Sequence, residues 1–192
     1  MRFLSSIFRR RPKTKPEPVK PTGPQLNQAG IDLMKYFESC LEPDGRGRFK
    51  AYADPARGWG VPTIGWGTVG YEDGSKVKRG DVITQARADE LFEWESREKS
   101  KGVLALVTVP LNNNEFSALV SFSYNLGLGA LKDSTLLRKL NAGDYFGAAS
   151  EFPKWNKGRM PSGELKPMLG LTRRRVAEQR LFTSKIPFIL PV

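Results

Sequence analysis

The hydrophobic pattern of the chain changes once, at Thr84, and this change constrains the fold more than any other feature. Before Thr84, short apolar stretches are interrupted by glycines and by the Glu72-Asp73-Gly74 turn, a pattern typical of short strands. After it, apolar residues recur at helical spacing. A chain of 192 residues can bury one core. We therefore predict one α+β domain with a small antiparallel β lobe, a larger helical lobe and a cleft between them.

Capping signals and apolar spacing define the predicted elements. Thr84, Ser134 and Asp144 suit N-cap positions, and Gly127 and Gly143 suit helix ends. The predicted helices are residues 27–38, 85–107, 113–126, 135–141, 145–152 and 172–182. The predicted strands are residues 48–53, 61–67 and 76–83, which would form one small antiparallel sheet.

The first 24 residues differ from the rest of the chain in charge and in proline content. They hold seven Lys or Arg residues and one Glu, which is a net charge of +6 out of +11 for the whole chain. Five prolines from Pro12 to Pro24 block regular structure there. We predict a basic, proline-rich tail and linker over residues 1–24, a folded domain over residues 25–184 and an apolar tail over residues 185–192.

Two interpretations of this N-terminal tail stay open. Its apolar residues Phe3, Leu4, Ile7 and Phe8 would line one side of a short helix beside several arginines. In the first interpretation this helix binds an anionic outer membrane or lipopolysaccharide. In the second, the tail is a disordered leader. The rest of the chain has no nucleic-acid motif with interleaved aromatic residues, so we expect no nucleic-acid partner.

Signals that would direct the chain into or across a membrane are missing from the sequence. No stretch of about 18 apolar residues predicts a transmembrane helix, and the apolar start of the chain is too short for a secretory signal peptide. Cys40 is the single cysteine, so it cannot form an intrachain disulfide. We expect a monomer that is made in the cytoplasm and released later.

The chain contains no histidine, and this absence limits its possible chemistry. Ser-His-Asp and Cys-His hydrolases and His-ligated zinc amidases are excluded. Carboxylates are then the main acid and base groups available.

Three residues before Thr84 suit the cleavage of a bond between two sugars. Glu38 closes the first predicted helix, Asp54 lies in an extended segment, and Thr63 lies on the returning segment. Glu38, flanked by Tyr36 and Phe37, suits a proton donor, Asp54 suits the second carboxylate, and the Thr63 hydroxyl suits a water-holding group. Taken singly these residues are weak signals, because each of the 20 acidic residues is more often a solvated surface charge.

The order of several short motifs strengthens this interpretation. In chain order the motifs are Phe37-Glu38, Ala51-Tyr52-Ala53-Asp54, Thr63-Ile64-Gly65-Trp66-Gly67 and residues 114–122, 124–127, 134–141 and 170–178. Together they resemble the phage-type lysozymes, glycoside hydrolase family 24, over roughly residues 27–183. The resemblance implies a lysozyme-like catalytic domain and a muramidase-type endolysin. Such an enzyme hydrolyses the β-1,4 bond between N-acetylmuramic acid and N-acetylglucosamine in peptidoglycan and lyses the bacterial host for phage release.

The resemblance also implies roles for five residues. Glu38 would be the proton donor, Asp54 the second catalytic carboxylate and Thr63 the residue that fixes water. Arg174 falls where the family places an arginine near the catalytic glutamate, although residues 173–175 can equally be a basic helix start that faces solvent. Asn125 matches a polar position that faces the saccharide, or else it caps a helix end.

The resemblance further implies which partners the chain has and lacks. Peptidoglycan is the expected substrate, acted on in the periplasm after release from the host cytoplasm. Relatives without a signal peptide usually depend on a holin to pass the inner membrane. We expect no cofactor and no metal.

The sequence departs from the family pattern in three places. Residues 42–48 and 57–60 look inserted, and we expect both insertions to bulge as loops beside the cleft. The first insertion brings two rival carboxylates, Glu42 and Asp44, but only Asp54 has the Ala-Tyr-x-Asp context. Thr68 stands where many relatives have histidine, and we expect activity to survive this change.

Two other functions remain as alternatives. A lytic transglycosylase cuts the same bond with the sugar's own hydroxyl and needs only the glutamate, whereas Asp54 and Thr63 together favour hydrolysis. A cationic protein that binds a membrane or the cell envelope through residues 1–24, with an idle catalytic fold, is the alternative from another class.

Overall fold

The computed structural model describes residues 23–38, 47–54, 58–160 and 163–184. Several predictions lie outside these ranges: the N-terminal tail as far as residue 22, Cys40, the rival carboxylates Glu42 and Asp44, and the apolar tail over residues 185–192.

Within the described ranges the chain forms helices and short strands in the predicted α+β arrangement. The α-helices are α1 Gln28–Glu38, α2 Gln85–Leu106, α3 Asn113–Leu126, α4 Leu128–Lys132, α5 Thr135–Asn141, α6 Tyr145–Ala149 and α7 Leu169–Thr183, with a 3-10 helix at Phe152–Trp155. The strands are β1 Arg48–Lys50, β2 Tyr52–Asp54, β3 Gly58–Thr63, β4 Val82–Thr84, β5 Lys157–Arg159 and β6 Leu165–Pro167.

Among the described residues of the β lobe, the strands form two separate antiparallel pairs. β1 pairs with β4, and β2 pairs with β3. The prediction of one sheet with a strand over residues 76–83 is therefore wrong. The Asp81 N–H bonds the Lys78 carbonyl in a turn, and Asp81 also accepts from the Tyr71 hydroxyl, so only the last part of this segment is extended. Ala51, Ile64 and Val77 form the small core of the lobe.

The helical lobe is built around α3, whose residues 116–123 are all buried. α1, α2 and α7 pack against α3, and their apolar residues form the main core. Because Glu38 ends α1 and Asn125 lies near the end of α3, this packing brings both positions to the same side of the lobe as the β strands.

The predicted caps are confirmed, because the side chains of Thr84, Ser134 and Asp144 each accept a backbone hydrogen bond at the start of a helix. The prediction that the chain is entirely helical after Thr84 is wrong at one place, where β5 and β6 form an antiparallel hairpin. Gly158 and Pro167, both poor helix formers, lie in these two strands.

One further helix and two helix boundaries also differ from the prediction. α4 follows directly on Gly127, whose φ of +87° turns the chain between two helices, and this short helix was missed. α6 ends at Ala149, where a turn leads into the 3-10 helix, and α7 begins at Leu169. No helix in the described part of the chain is both long enough and apolar enough to cross a bilayer.

Candidate active site

A cleft of about 920 Å³ lies between the two lobes. Its walls come from the end of α1, from β2 and β3, from the loops that follow β3, and from α2 and α3. Four of the five predicted site residues line it, namely Glu38, Asp54, Thr63 and Asn125. The fifth, Arg174, lies behind the cleft and contacts Glu38.

Glu38 is the last residue of α1, and its side chain is 16% exposed. Its Oε1 accepts a hydrogen bond from Arg174 Nη1. Its Oε2 lies against Gly67, where an added Cβ would come within 2.9 Å of this oxygen. Gly67 also has a φ of +94°, so glycine suits this position both for its backbone and for its lack of a side chain. The carboxylate is therefore held between an arginine and a glycine turn.

Arg174 is almost completely buried on α7, with 3% of its surface exposed. Besides Glu38, it donates from Nε to Glu178 Oε1 at 3.2 Å and from Nη2 to the Ser121 carbonyl at 3.3 Å. Burial alone would lower the pKa of Arg174, but the Glu38 and Glu178 carboxylates raise it above its ordinary value. Arg174 therefore carries a positive charge against Glu38 across the working pH range.

The solvent-facing alternative for residues 173–175 is wrong for two of the three. Arg173 is exposed, whereas Arg174 and Arg175 are buried. A run of three arginines cannot lie on one face of a helix, because successive residues point about 100° apart. Glu178, on the same helix, pairs with both buried arginines, whereas Glu38 and Asn125, which also contact them, come from other segments that no local pattern could reveal.

Asp54 and Thr63 lie on the paired strands of the β lobe. Tyr52 stands opposite Thr63, and Asp54 stands opposite Gly58, with an irregularity in the register between Ala53 and Asp54. Thr63 is buried, and its Oγ1 donates to the Val61 carbonyl at 3.2 Å. Because this hydroxyl already uses its hydrogen, it has only acceptor capacity left, and Thr63 is one of the residues that line the cleft.

The described part of the second predicted insertion bulges within a strand and does not form a separate loop. Gly58, Trp59 and Gly60 belong to β3, so three of its four residues lengthen a strand beside Asp54. The exposed Trp59 ring is covered by the Arg79 guanidinium at 4.7 Å. Only Gly58 has a partner across the strand pair, namely Asp54, so Trp59 and Gly60 lie within the register irregularity of this pair.

Asn125 lies inside α3 and does not cap it, because the helix continues to Leu126 and the Gly127 N–H closes it on the Ser123 carbonyl. Its Oδ1 accepts from Arg175 Nη2 at 3.0 Å. A neighbour, Tyr124, also lines the cleft and donates its hydroxyl hydrogen to the Trp66 carbonyl at 2.9 Å.

Glu95 on α2 is a site residue that the sequence did not reveal. It lines the cleft, and burial raises its pKa, as does the negative charge of Glu38. The pKa of Glu95 is lowered by contacts with Tyr124 and Thr68 and by the charge of Lys99, but these effects are together smaller than the effect of burial. The only sequence signal was its helical spacing with Leu91 and Phe92, which predicts a buried face but not a carboxylate in a cleft.

We expect Glu95→Gln to raise the melting temperature at pH 7. A carboxyl whose pKa is raised by folding contributes stability that is complete below its unfolded pKa of about 4.3 and is lost as pH rises through the folded value. The neutral amide avoids this loss, so the advantage of the variant should disappear near pH 4. Thermal melts at pH 4 and pH 7 measure it. Glu93→Gln, at an exposed position of the same helix, is the control, and equal gains from both variants would contradict the prediction.

A metal site does not emerge from this arrangement. Within residues 23–38, 47–54, 58–160 and 163–184, no group of three or more Cys, Asp or Glu side chains converges in a way that could hold a metal ion. The cleft chemistry described so far consists of carboxyl, hydroxyl, amide and guanidinium groups.

Comparison with known proteins decides the family. A family model described as phage lysozyme matches residues 43–178, which is well over half of the chain. The chain belongs to the phage lysozyme family. The matched segment begins after Glu38 and contains Asp54, Thr63, Asn125 and Arg174.

Individual relatives of this phage lysozyme family member include endolysins and a muramidase domain. The endolysin of Bacillus phage B103 is 44% identical over 160 residues, which is 83% of this chain and 54% of that protein. The chain thus spans about half of that relative. The solved endolysin from Escherichia coli O157:H7 phage FAHEc1 is 36% identical with a TM-score of 0.72, covering 84% of this chain and 95% of that one. The muramidase domain of SpmX from Asticaccaulis excentricus is 30% identical with a TM-score of 0.69, covering 84% and 99%.

These similarities settle three predictions. The resemblance to phage-type lysozymes and the lysozyme-like α+β fold are confirmed. The prediction of a lysozyme-type glycoside hydrolase is confirmed at the level of the family. The individual roles of the five site residues stay predictions.

Proposed function

We propose that this phage lysozyme family member is an endolysin that hydrolyses the β-1,4 bond between N-acetylmuramic acid and N-acetylglucosamine in peptidoglycan. The observation that carries the proposal is the convergence of Glu38, from the helical lobe, with Asp54 and Thr63, from the β lobe, on one cleft. A groove with carboxyl groups on two walls is what acid-assisted cleavage of a glycan requires. The muramidase name of one structural neighbour supports the choice of bond.

Glu38 is the proton donor in this proposal. Its carboxyl gives a proton to the bridging oxygen as the bond from that oxygen to the sugar's anomeric carbon breaks. The Arg174 contact and the Gly67 turn fix the direction of the carboxyl. Fixing a reacting group in this way removes a large part of the entropic barrier.

Asp54 and Thr63 supply the other half of the reaction. Water attacks the anomeric carbon, and Asp54 takes the proton that the water loses. The Thr63 hydroxyl already donates to Val61, so it holds this water by accepting one of its hydrogens. The products are a new reducing end and a new free hydroxyl, and the cycle closes when Asp54 releases its proton to solvent and Glu38 takes one up.

The substrate strand would lie along the whole cleft. Asn125 faces it from α3, and its amide group suits the hydroxyl and acetamido groups of the sugars. In the proposal the enzyme lyses the bacterial host for phage release. It is made in the host cytoplasm and reaches the periplasmic wall with the help of a holin, and residues 1–24 contact the anionic outer membrane. The cytoplasmic origin and the holin rest on the family resemblance, and the contact with the outer membrane rests on the charge of the tail.

The products of wall digestion test the reaction. We expect purified peptidoglycan treated with the full chain to yield muropeptides that end in reducing N-acetylmuramic acid, as seen by borohydride reduction and mass spectrometry. Anhydro-sugar ends would show a lytic transglycosylase instead. No soluble product at any enzyme concentration would show a binding protein with an idle fold.

A further inference from the structure

Helix α7 buries three charged side chains on one face. Arg174, Arg175 and Glu178 are each at most 3% exposed. Moving such charges out of water costs several kcal/mol each unless they are paired and hydrogen-bonded. Apolar residues of the same volume would serve packing at lower cost, so the arrangement calls for an explanation other than stability.

The Glu178 carboxylate lies at the centre of these charges and is completely buried. Its Oε1 accepts from Ser121 Oγ at 2.8 Å, from Arg174 Nε at 3.2 Å and from Arg175 Nη2 at 3.2 Å. Its Oε2 lies 3.1 Å from Arg175 Nε. One carboxylate therefore contacts both guanidinium groups.

Each of the two arginines continues from Glu178 to a residue that lines the cleft. Arg174 donates to Glu38 from Nη1, while its Nε contacts Glu178. Arg175 donates from Nη2 to Asn125 Oδ1 at 3.0 Å, and it contacts Glu178 through the same nitrogen and through Nε. The two branches end on different groups of the same cleft, an acid and an amide.

We propose that Glu178 is a positioning residue that sets the orientation of both Glu38 and Asn125 through Arg174 and Arg175. The inference rests on the proposed function, which gives Glu38 the proton and Asn125 the sugar contact. Guanidinium is a rigid planar group, so fixing one edge of it on Glu178 fixes the direction of its other N–H groups. Glu178 itself never touches the substrate.

The two branches predict a distinctive kinetic effect. Loss of the Glu178 charge frees both guanidinium groups, so the acid and the amide should lose their alignment together. We expect Glu178→Gln to lower kcat on purified peptidoglycan by about 10-fold to 100-fold, as misplacement of a catalytic group by up to about 1 Å does. We also expect KM to rise about fivefold, the factor that one lost hydrogen bond produces.

The rise in KM separates positioning from simple stabilisation. Partial unfolding removes active molecules and lowers the apparent kcat, but it leaves the KM of the molecules that remain folded unchanged. The matched control is Glu151→Gln. Glu151 is also a buried carboxylate with two cationic partners, Lys139 at 2.6 Å and Lys154 at 2.9 Å, but these lie outside the cleft. This variant should keep kcat and KM within twofold of the parent even where its melting temperature falls.

Three enzymes are assayed together, the full-length parent and the Glu178→Gln and Glu151→Gln variants, over a series of wall concentrations. Unchanged kcat and KM in Glu178→Gln, while the parent and Glu151→Gln release reducing ends, would overturn this inference alone. Failure of the parent to release reducing ends would overturn the proposed function instead. Where Glu178→Gln does not fold, Glu178→Asp decides, because it keeps the charge but draws the carboxylate back by one methylene. Parent-like values in Glu178→Asp would then overturn the inference, and lower kcat with higher KM would support it.

Discussion

Glu38→Gln is expected to slow the clearing of a purified peptidoglycan suspension by about 10²-fold to 10⁴-fold, the usual contribution of a general acid. The amide has the size of the carboxyl and still offers an oxygen to Arg174 Nη1, so the fold should stay intact. It cannot donate a proton to the bridging oxygen at any practical pH. The measurement is the initial fall in turbidity at equal protein concentration, with circular dichroism to confirm folding.

Glu98→Gln is the matched control for this prediction. Glu98 also lines the cleft, but its side chain is 49% exposed and its ion pair with Lys101 lies on the surface of α2. Exposed pairs of this kind contribute little to stability, so this variant should clear the wall within about twofold of the parent rate. A Glu38→Gln protein that is folded and as active as the Glu98→Gln control would remove Glu38 from the reaction.

Local sequence patterns indicated the proposed catalytic residues of the cleft better than the residues that contact them from behind. Glu38, Asp54 and Thr63 could be placed because each stands near the end of a short element, where the period of the apolar residues changes. Asn125 and Arg174 came from motif order alone. What they touch depends on α3 packing against α7, a contact between residues about 50 positions apart that no local pattern specifies.

Two carboxylates and one hairpin could not be predicted from the sequence either. Glu178 is a buried carboxylate and Glu95 a half-buried one, both on helices, and their charge argued for exposed positions. Glu95 contacts Tyr124 and Thr68 from other segments, whereas Glu178 is paired with two arginines of its own helix, α7, and accepts a hydrogen bond from Ser121 of α3. The β5–β6 hairpin was missed because a strand of three residues is too short to show an alternating pattern.

Arg174→Met is expected to lower the free energy of unfolding by about 3–5 kcal/mol at pH 7, the usual cost of removing one partner from a buried ion pair. Methionine fills much of the space of the arginine stem but leaves Glu38 without its guanidinium and Glu178 with one cation fewer. Urea unfolding followed by circular dichroism measures the change. Arg173→Met, at the exposed neighbouring position, is the control and should change stability by less than about 0.5 kcal/mol.

A double variant shows which carboxylate causes the loss. Glu38 retains 16% of its side-chain surface in water, whereas Glu178 has none, so an unpaired charge costs more at Glu178. Adding Glu38→Gln to Arg174→Met should therefore recover less than half of the lost stability. Full recovery would place the cost at Glu38 and would mean that Arg175 and Ser121 alone satisfy Glu178. Recovery of less than half of the lost stability means that Arg174 stabilises the fold mainly through its pairing with Glu178. The contacts that hold the cleft residues in place then depend on charges buried inside the helical lobe.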